Sequence, residues 1–172
     1  SAGVFNPEKL LWLNSHHIKT GDPDRLAELL KPFLEQKEID FADGPNLVDV
    51  VKSLQERSAT LLEMAEGARF YFVDPVNYEE KAKKKFLVAE QAELFKTILE
   101  KLSGCDTFDK VQLELSFAEI MAETELKFGK VAQPLRVALT GGVPSPGIYE
   151  VLQVLGKERS LQRIEQAIMA IV

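Results

Sequence analysis

The sequence is poor in cysteine and in long apolar runs, which excludes two broad classes of protein. Cys105 is its only cysteine, so no internal disulfide is possible, as expected in a reducing compartment. No apolar run approaches the ~18 residues of a membrane helix. The first residues also lack a basic segment followed by an apolar core. The sequence therefore predicts a cytoplasmic protein with no membrane segment.

Residues for metal binding or catalysis are also scarce. His16 and His17 are adjacent, so on a helix they point about 100° apart and cannot chelate one metal together. No other histidine exists, and Cys105 stands far from both. The chain has neither a βαβ pattern nor a glycine-rich phosphate loop. We therefore predict no metal site and no catalytic residues in this chain.

The charge is acidic overall but unevenly distributed. The net charge of −6 does not suit a general nucleic-acid binder, which usually has a basic surface. Residues 1–125 hold 15 Lys/Arg and 24 Asp/Glu, whereas residues 126–163 hold 6 Lys/Arg and 2 Asp/Glu. A polyanion is therefore expected to bind the C-terminal third, if it binds at all.

Apolar residues recur every three or four positions through the first part of the chain, as on successive helices. Asn6-Pro7, Asp22-Pro23 and Gly44-Pro45 are predicted helix starts, because proline fits the first helical position after a cap. Pro32 falls inside the second pattern and is expected to break or kink it. A further helix is predicted to end at about Gly67.

Residues 70–77 look different, with three aromatics followed by Asp74-Pro75. The residue before a proline avoids the helical region, so we expect an extended connection here. We place the boundary between two small helical subdomains at this point, with residues 1–70 in the first and 71–172 in the second.

The second subdomain is also predicted to be helical, which makes the whole chain all-α. Residues 78–102 are expected to be helical, and Thr107 can cap a longer helix to about Leu126. That helix has two apolar faces, so we expect burial on two sides. The faces consist of Val111, Leu115 and Ala118 on one side and Leu113, Phe117 and Ile120 on the other. The last helix has an inward stripe at Leu161, Ile164, Ile168 and Ile171.

Between these helices lies a stretch with two helix starts and a flexible joint. Pro134 is expected in the first turn of a short helix that Gly141-Gly142 ends, and Ser145 is expected to cap the next helix. With Lys130 and Arg136 close by, the joint suits an anion or an RNA loop. From the residues alone, the alternative is an αα-hairpin with ordinary caps.

This stretch also resembles a specific family. Residues 129–141 (GKVAQPLRVALTG), Ser145-Pro146-Gly147 and residues 155–159 (LGKER) resemble the C-terminal signature of bacterial glutamyl-tRNA synthetases. The opening residues 5–14 (FNPEKLLWLN) and the middle residues 69–72 (RFYF) also have counterparts there. The similarity extends over nearly the whole chain, and the first of these motifs is highly specific.

The resemblance implies a two-part α-helical cage that holds the anticodon loop of glutamate tRNA. The parent enzyme would be a glutamate–tRNA ligase, a class I synthetase that charges tRNA with glutamate using ATP and Mg. This chain lacks the family's HIGH-type and KMSKS-type motifs. We therefore expect no cofactor and no catalysis here, and a monomer that binds neither DNA nor membranes.

Seven residues are predicted to contact the anticodon, and the resemblance assigns six of them. Arg57 matches an arginine that reads the last anticodon base; its alternative is a surface arginine paired with Glu56 or Glu63. For five others, capping and core packing are the alternatives. They are Gln133, Arg136, Ser145, Pro146 and Ile148. The seventh is Lys130, which is predicted from its charge beside the joint.

Two other groups of residues are weaker candidates for RNA contacts. The lysines at 81 and 83–85 suit phosphate contacts, although such runs are usually solvated helix faces. The aromatics at 70–72 can stack on bases, but packing between subdomains is the favoured interpretation. A helical protein-docking module without an RNA role, or a synthetase-like enzyme of altered activity, remain alternatives for the whole chain.

Overall fold

The computed structural model describes residues 6–171, and all the regular structure in that range is helical. Contacts divide the chain after Val73 into two compact units. The all-α prediction is confirmed. Phe5, part of the opening resemblance, lies outside the described residues.

The described part of the first unit, residues 6–73, contains four α-helices, each begun by a side-chain cap. Asn6, Asp22, Asn46 and Thr60 accept hydrogen bonds from first-turn amides. The first two starts are as predicted, but the third helix begins after Asn46 rather than at Gly44-Pro45. The helices are α1 (Pro7–Thr20), α2 (Pro23–Gln36), α3 (Leu47–Leu54) and α4 (Leu61–Phe72).

The core of this unit lies where α2, α3 and α4 pack together. Burial of each large apolar side chain contributes roughly 1.5–3 kcal/mol. A buried hydrogen bond of 3.0 Å between Ser53 Oγ and the Tyr71 hydroxyl ties α3 to α4. The principal core residues are Leu30, Leu34, Val50, Val51, Leu54, Met64 and Ala68.

Two features of this unit differ from expectation. Of the predicted break or kink at Pro32, the break is absent, because Pro32 is exposed and the Glu28 carbonyl that lacks its helical amide is also on an exposed residue. The extended connection does not begin at residue 70, because α4 continues through Phe72. Burial of Phe70 and Tyr71 stabilises that extra turn, and extended backbone starts only at Val73.

Residues 74–171 of the second unit contain six α-helices. The predicted helical stretch 78–102 is interrupted at residues 87–91, where Leu87 leaves the helical region and buries its side chain. The helices are α5 (Glu80–Phe86), α6 (Ala92–Ser103), α7 (Lys110–Thr124), α8 (Phe128–Thr140), α9 (Ile148–Leu155) and α10 (Lys157–Met169).

Helix α7 differs from its prediction in both cap and burial. Asp109, not Thr107, caps it by accepting from the Gln112 amide at 3.0 Å, while the Thr107 hydroxyl donates to the other Asp109 oxygen at 2.6 Å. These bonds, that from Thr107 first, lower the pKa of Asp109. Val111 and Leu115 remain 68% and 55% exposed, so burial on two sides is wrong. The neighbours α6, α8 and α9 cover only the face that holds Phe117.

A fully buried arginine joins α10 to the end of α8 and to the segment before α5. Arg163 Nε donates to Asp74 Oδ1 at 2.9 Å, and Nη1 donates to the Leu139 carbonyl at 2.6 Å. Nη2 lies 2.9 Å from the same carboxylate oxygen. Burial lowers the pKa of Arg163, and the charge of Asp74 opposes that shift. Because a buried charge needs its partners, this contact fixes where α8 ends.

We expect Arg163→Met to reduce the free energy of unfolding of the second unit by about 3 kcal/mol, since Asp74 and the Leu139 carbonyl lose their donors. Urea titration followed by circular dichroism measures this change. The control is Gln162→Met, at an exposed position on the same helix, which should change stability by less than about 0.5 kcal/mol. Equal effects of the two variants would contradict a role for the buried charge.

Substitution by alanine at two glycines of the first unit should change its stability in opposite directions. A Cβ on Gly44 would lie 2.2 Å from a ring atom of Phe72, so Gly44→Ala should destabilise by roughly 1–3 kcal/mol. A Cβ on Gly67, inside α4, would lie 3.6 Å from Leu54 Cδ2, an ordinary contact. Gly67→Ala should therefore stabilise by about 0.5–1 kcal/mol. Thermal melts of both variants test this, and shifts of the same sign would contradict it.

Candidate nucleic-acid interface

Helix α8 carries three of the seven predicted site residues along one side. Lys130, Gln133 and Arg136 are three positions apart, and successive members are therefore turned by about 60°. Lys130 and Gln133 are exposed, whereas Arg136 is half-buried. The helix therefore has a polar stripe that is exposed at Lys130 and Gln133 and half-buried at Arg136.

Pro134 lies inside α8 rather than in its first turn, so that prediction is wrong. The helix begins at Phe128, and burial of Val131 and Ala132 stabilises the turn that precedes the proline. Because proline has no amide hydrogen, the Lys130 carbonyl has no helical donor.

The joint, residues 141–147 between α8 and α9, is closely packed, contrary to the flexible joint predicted. Gly141 and Gly142 both have positive φ, 76° and 99°, and the first ends the helix as predicted. The Gly141 carbonyl accepts from the Glu79 amide at 2.7 Å. A Cβ on Gly142 would lie 2.9 Å from that of Ala82. The start of α5 is therefore packed against the joint.

Arg136 holds the joint from its other side. Its Nη1 donates to the Ser145 carbonyl at 3.3 Å, to the Ser145 hydroxyl and to the Pro146 carbonyl. Thr140 adds a bond from its hydroxyl to the Arg136 carbonyl at 2.8 Å. The guanidinium thus determines the course of the chain through Ser145 and Pro146.

Ser145 does not cap α9, and that expectation is wrong. The cap residue is Gly147, which offers no side chain, and the Ser145 hydroxyl accepts from Arg136 instead. Ser145 and Pro146 are both buried, and Ile148 is only 3% exposed. These three residues pack against their own unit as well as lining the joint. The structure therefore brings six predicted residues together on α8, the joint and the start of α9.

Arg57 belongs to the first unit, at the end of a 3₁₀ turn after α3, and its side chain is exposed. The backbone on both sides of it is anchored. The side-chain amide of buried Gln55 donates to the carbonyls of Ile18 and Gly21, both at 3.0 Å. The Ser58 hydroxyl donates to the Leu54 carbonyl at 2.9 Å. Arg57 is thus an exposed side chain on a fixed backbone.

Glu63, one predicted partner of Arg57, has a capping role. Its carboxylate accepts from the Ala59 amide at 2.8 Å, and its own amide donates to the Thr60 hydroxyl at 3.0 Å. Together these bonds start α4 in a variant of the capping box, in which the carboxylate accepts from the amide of the residue before the cap. It also fixes the chain just beyond Arg57.

The lysines at 81 and 83–85 and the aromatics at 70–72 have different surroundings. The run occupies α5, whose start packs on the joint, and Lys84 forms an exposed ion pair with Glu80. Phe70 and Tyr71 are buried within the first unit, so their rings are not accessible for stacking on bases. Phe72 is half-buried, with its ring 6.5 Å from that of Phe41.

Sequence reasoning missed a second aromatic group. The rings of Phe117, Phe128 and Tyr149 have centroids 4.9–5.7 Å apart. They come from three different helices, so no spacing in the sequence connects them. The buried pair Asp74 and Arg163 was also missed, because 89 positions separate the two residues.

Within residues 6–171, no cluster of His, Cys, Asp or Glu has the arrangement of a metal site. In the same range, no helix is long and apolar enough to cross a membrane.

The chain is similar to known proteins over nearly its full length. It is 55% identical over 168 residues to the glutamate–tRNA ligase of Geotalea uraniireducens and 51% identical to that of Geobacter sulfurreducens. In each case the match covers 98% of this chain and 36% of the relative, so the chain spans about a third of the length of these proteins.

A solved structure has the same fold. The glutamate tRNA ligase from Elizabethkingia meningosepticum superposes with a TM-score of 0.84 and 26% identity, over 96% of this chain and 32% of that one. The family model described as the anticodon binding domain matches residues 25–168, which include all seven predicted site residues. The chain is a member of the anticodon binding domain family.

Proposed function

We propose that this chain recognises the anticodon loop of glutamate tRNA as part of a glutamate–tRNA ligase. In that parent enzyme, tRNA is charged with glutamate in an ATP- and Mg-dependent reaction at a catalytic part outside this chain. The observation that carries the proposal is the ordered joint between α8 and α9, where Arg136 holds Ser145 and Pro146 beside the exposed Lys130 and Gln133. We further propose that the protein acts as a cytoplasmic monomer.

The joint suits an RNA loop for three physical reasons. Single-stranded loops are read by unstacked bases that pack on side chains and form hydrogen bonds at their edges. Gln133 supplies both a donor and an acceptor, and the Lys130 carbonyl supplies an acceptor without a helical partner. The surrounding segment 126–163 carries an excess of positive charge in an otherwise acidic chain, so it can attract phosphates.

Arg57 is proposed to read the last anticodon base. Arginine has only donors, and the Watson–Crick edge of cytosine offers the acceptors O2 and N3. Guanine presents N1–H and N2–H there, so donors would face donors. Each such unpaired group costs roughly 1–3 kcal/mol. Arg57 would thus favour a glutamate tRNA, ending its anticodon in C, over a glutamine tRNA ending in G.

We expect the wild-type chain to bind a C-ending anticodon stem-loop about tenfold more tightly than a G-ending one. Arg57→Gln should remove most of that preference while total affinity falls less, because an amide can pair with either base. Fluorescence anisotropy with both stem-loops measures the two affinities. Arg25→Gln is the control, since it removes an exposed arginine of the same unit on α2. Equal binding of both stem-loops by the wild type would overturn the role of Arg57.

Arg136→Ala should weaken binding of the same stem-loop about tenfold, because the oxygens of Ser145 and Pro146 lose their common donor. The chain should remain folded, although with a lowered melting temperature, because Ser145 and Pro146 are buried. The control Lys96→Ala removes an exposed cation on α6 and should not affect binding. A collapsed melting curve for Arg136→Ala would assign this arginine to stability alone.

The salt dependence of wild-type binding separates RNA recognition from a protein-docking role. Contacts with phosphates release counterions, so affinity for the stem-loop should fall steeply between 50 and 200 mM salt, on the order of tenfold or more for a few contacts. No detectable binding of the stem-loop at low salt would contradict the proposed function.

A further inference from the structure

An exposed aromatic ring stands at the start of α8, outside the seven residues assigned above. Phe128 is 42% exposed, and it is the only exposed aromatic residue among the described residues of the second unit. A single exposed apolar side chain is ordinary at a protein surface, and Phe128 is distinguished by the rings that hold it.

The ring is supported from beneath. Its centroid lies 5.6 Å from that of Phe117 and 5.7 Å from that of Tyr149, and Phe117 is fully buried. Phe117 and Tyr149 are themselves 4.9 Å apart in an edge-to-face contact. Because two packed rings hold its inner side, Phe128 presents its outer side to solvent in a fixed position.

An exposed cation adjoins Phe128. Lys127 directly precedes it, whereas Lys130, two positions further on, lies about 200° around the helix. Within the described part of the chain, Lys127 has no carboxylate at ion-pair distance. A ring beside such a cation matches a base and its phosphate rather than an apolar protein surface.

Gly129 gives an independent reason to expect a close ligand. Glycine weakens a helix, and here a Cβ would find no atom within 4 Å. Its φ also lies outside the left-handed region, so neither packing nor backbone conformation requires glycine. A ligand that passes close to the backbone beside Phe128 would require it.

This surface is continuous with the joint. Tyr149 directly follows Ile148, and Lys130 belongs to the same stripe of α8 as Gln133 and Arg136. A loop that fills the joint would therefore extend over Phe128 if its chain continues toward the start of α8.

We propose that Phe128 stacks on one further base of the bound RNA loop, while Lys127 contacts a phosphate that flanks it. This proposal rests on the proposed function and extends the site by one nucleotide. Stacking on an aromatic ring tolerates any base, so the contact adds affinity without adding sequence preference.

Binding of an anticodon stem-loop to three Phe128 variants tests the proposal. Phe128→Leu keeps an apolar side chain over Phe117 but removes the aromatic face, and it should weaken binding about tenfold. Phe128→Tyr keeps that face and should bind within about twofold of the wild type. Phe128→Trp offers a larger face and should bind at least as tightly. The matched control is Leu115→Ala, an exposed apolar side chain on α7, which should leave affinity unchanged.

Gly129→Ala supplies a readout that a purely structural role does not predict. Alanine should raise the melting temperature, because it favours the helix and meets no neighbour, and yet it should weaken RNA binding.

Stem-loops in which single loop positions carry 2-aminopurine identify the stacked base. Its fluorescence should be quenched by the wild type and not by Phe128→Leu.

The outcomes separate this proposal from the proposed function. If the wild type binds the stem-loop and Phe128→Leu binds it equally well, the stacking contact is overturned while anticodon recognition stands. If the wild type does not bind the stem-loop at any salt concentration, both fail. If Gly129→Ala binds as tightly as the wild type, no close approach occurs at that residue and the proposed path of the RNA is overturned.

Discussion

The guanidinium of Arg163 is buried without contact to solvent, and the position of the candidate site depends on it. Its bonds to Asp74 and to the Leu139 carbonyl attach the end of α8 to α10 and to the segment before α5. A buried charge that lost these partners would be strongly destabilising, so the end of α8 has little freedom to move. The joint that carries the candidate site begins only two residues later, at Gly141.

From that fixed point, glycines and hydrogen bonds shape the joint. Gly141 and Gly142 turn the chain with positive φ, and the Gly141 carbonyl meets the start of α5. The Arg136 guanidinium then donates hydrogen bonds to the oxygens of Ser145 and Pro146. One arginine thus fixes where the joint starts and another fixes how it ends, so the site is ordered before any ligand binds. Such preorganisation lowers the entropic cost of binding.

The parts of the fold that depend on local chemistry were predictable from the sequence. Asn6 and Asp22 cap their helices as expected, and Gly141 ends α8, because each effect involves residues only a few positions apart. The expectations that failed depend on tertiary packing. Pro134 is accepted within α8 because its neighbours are buried, and Ser145 bonds to Arg136, nine positions earlier, instead of capping α9.

The candidate site could be predicted in part. Six of the seven residues came from the resemblance and Lys130 from its charge, and spacing alone does not distinguish an RNA site from a helical hairpin. The aromatic group around Phe128 was not predictable, because its three rings lie on different helices and each alone resembles a core residue. The apolar outer face of α7 was interpreted as core, since periodicity does not reveal whether a neighbour covers a face.

The central claim is that RNA is bound at the joint between α8 and α9. The most direct measurement is an NMR titration of the isotope-labelled chain with an anticodon stem-loop of glutamate tRNA. Amide shifts should concentrate at residues 128–136 and 141–149, with a second group at residues 55–60, and the exposed face of α7 around Val111 and Leu115 should remain unchanged. Shifts confined to that face of α7, with none at the joint, would contradict the account.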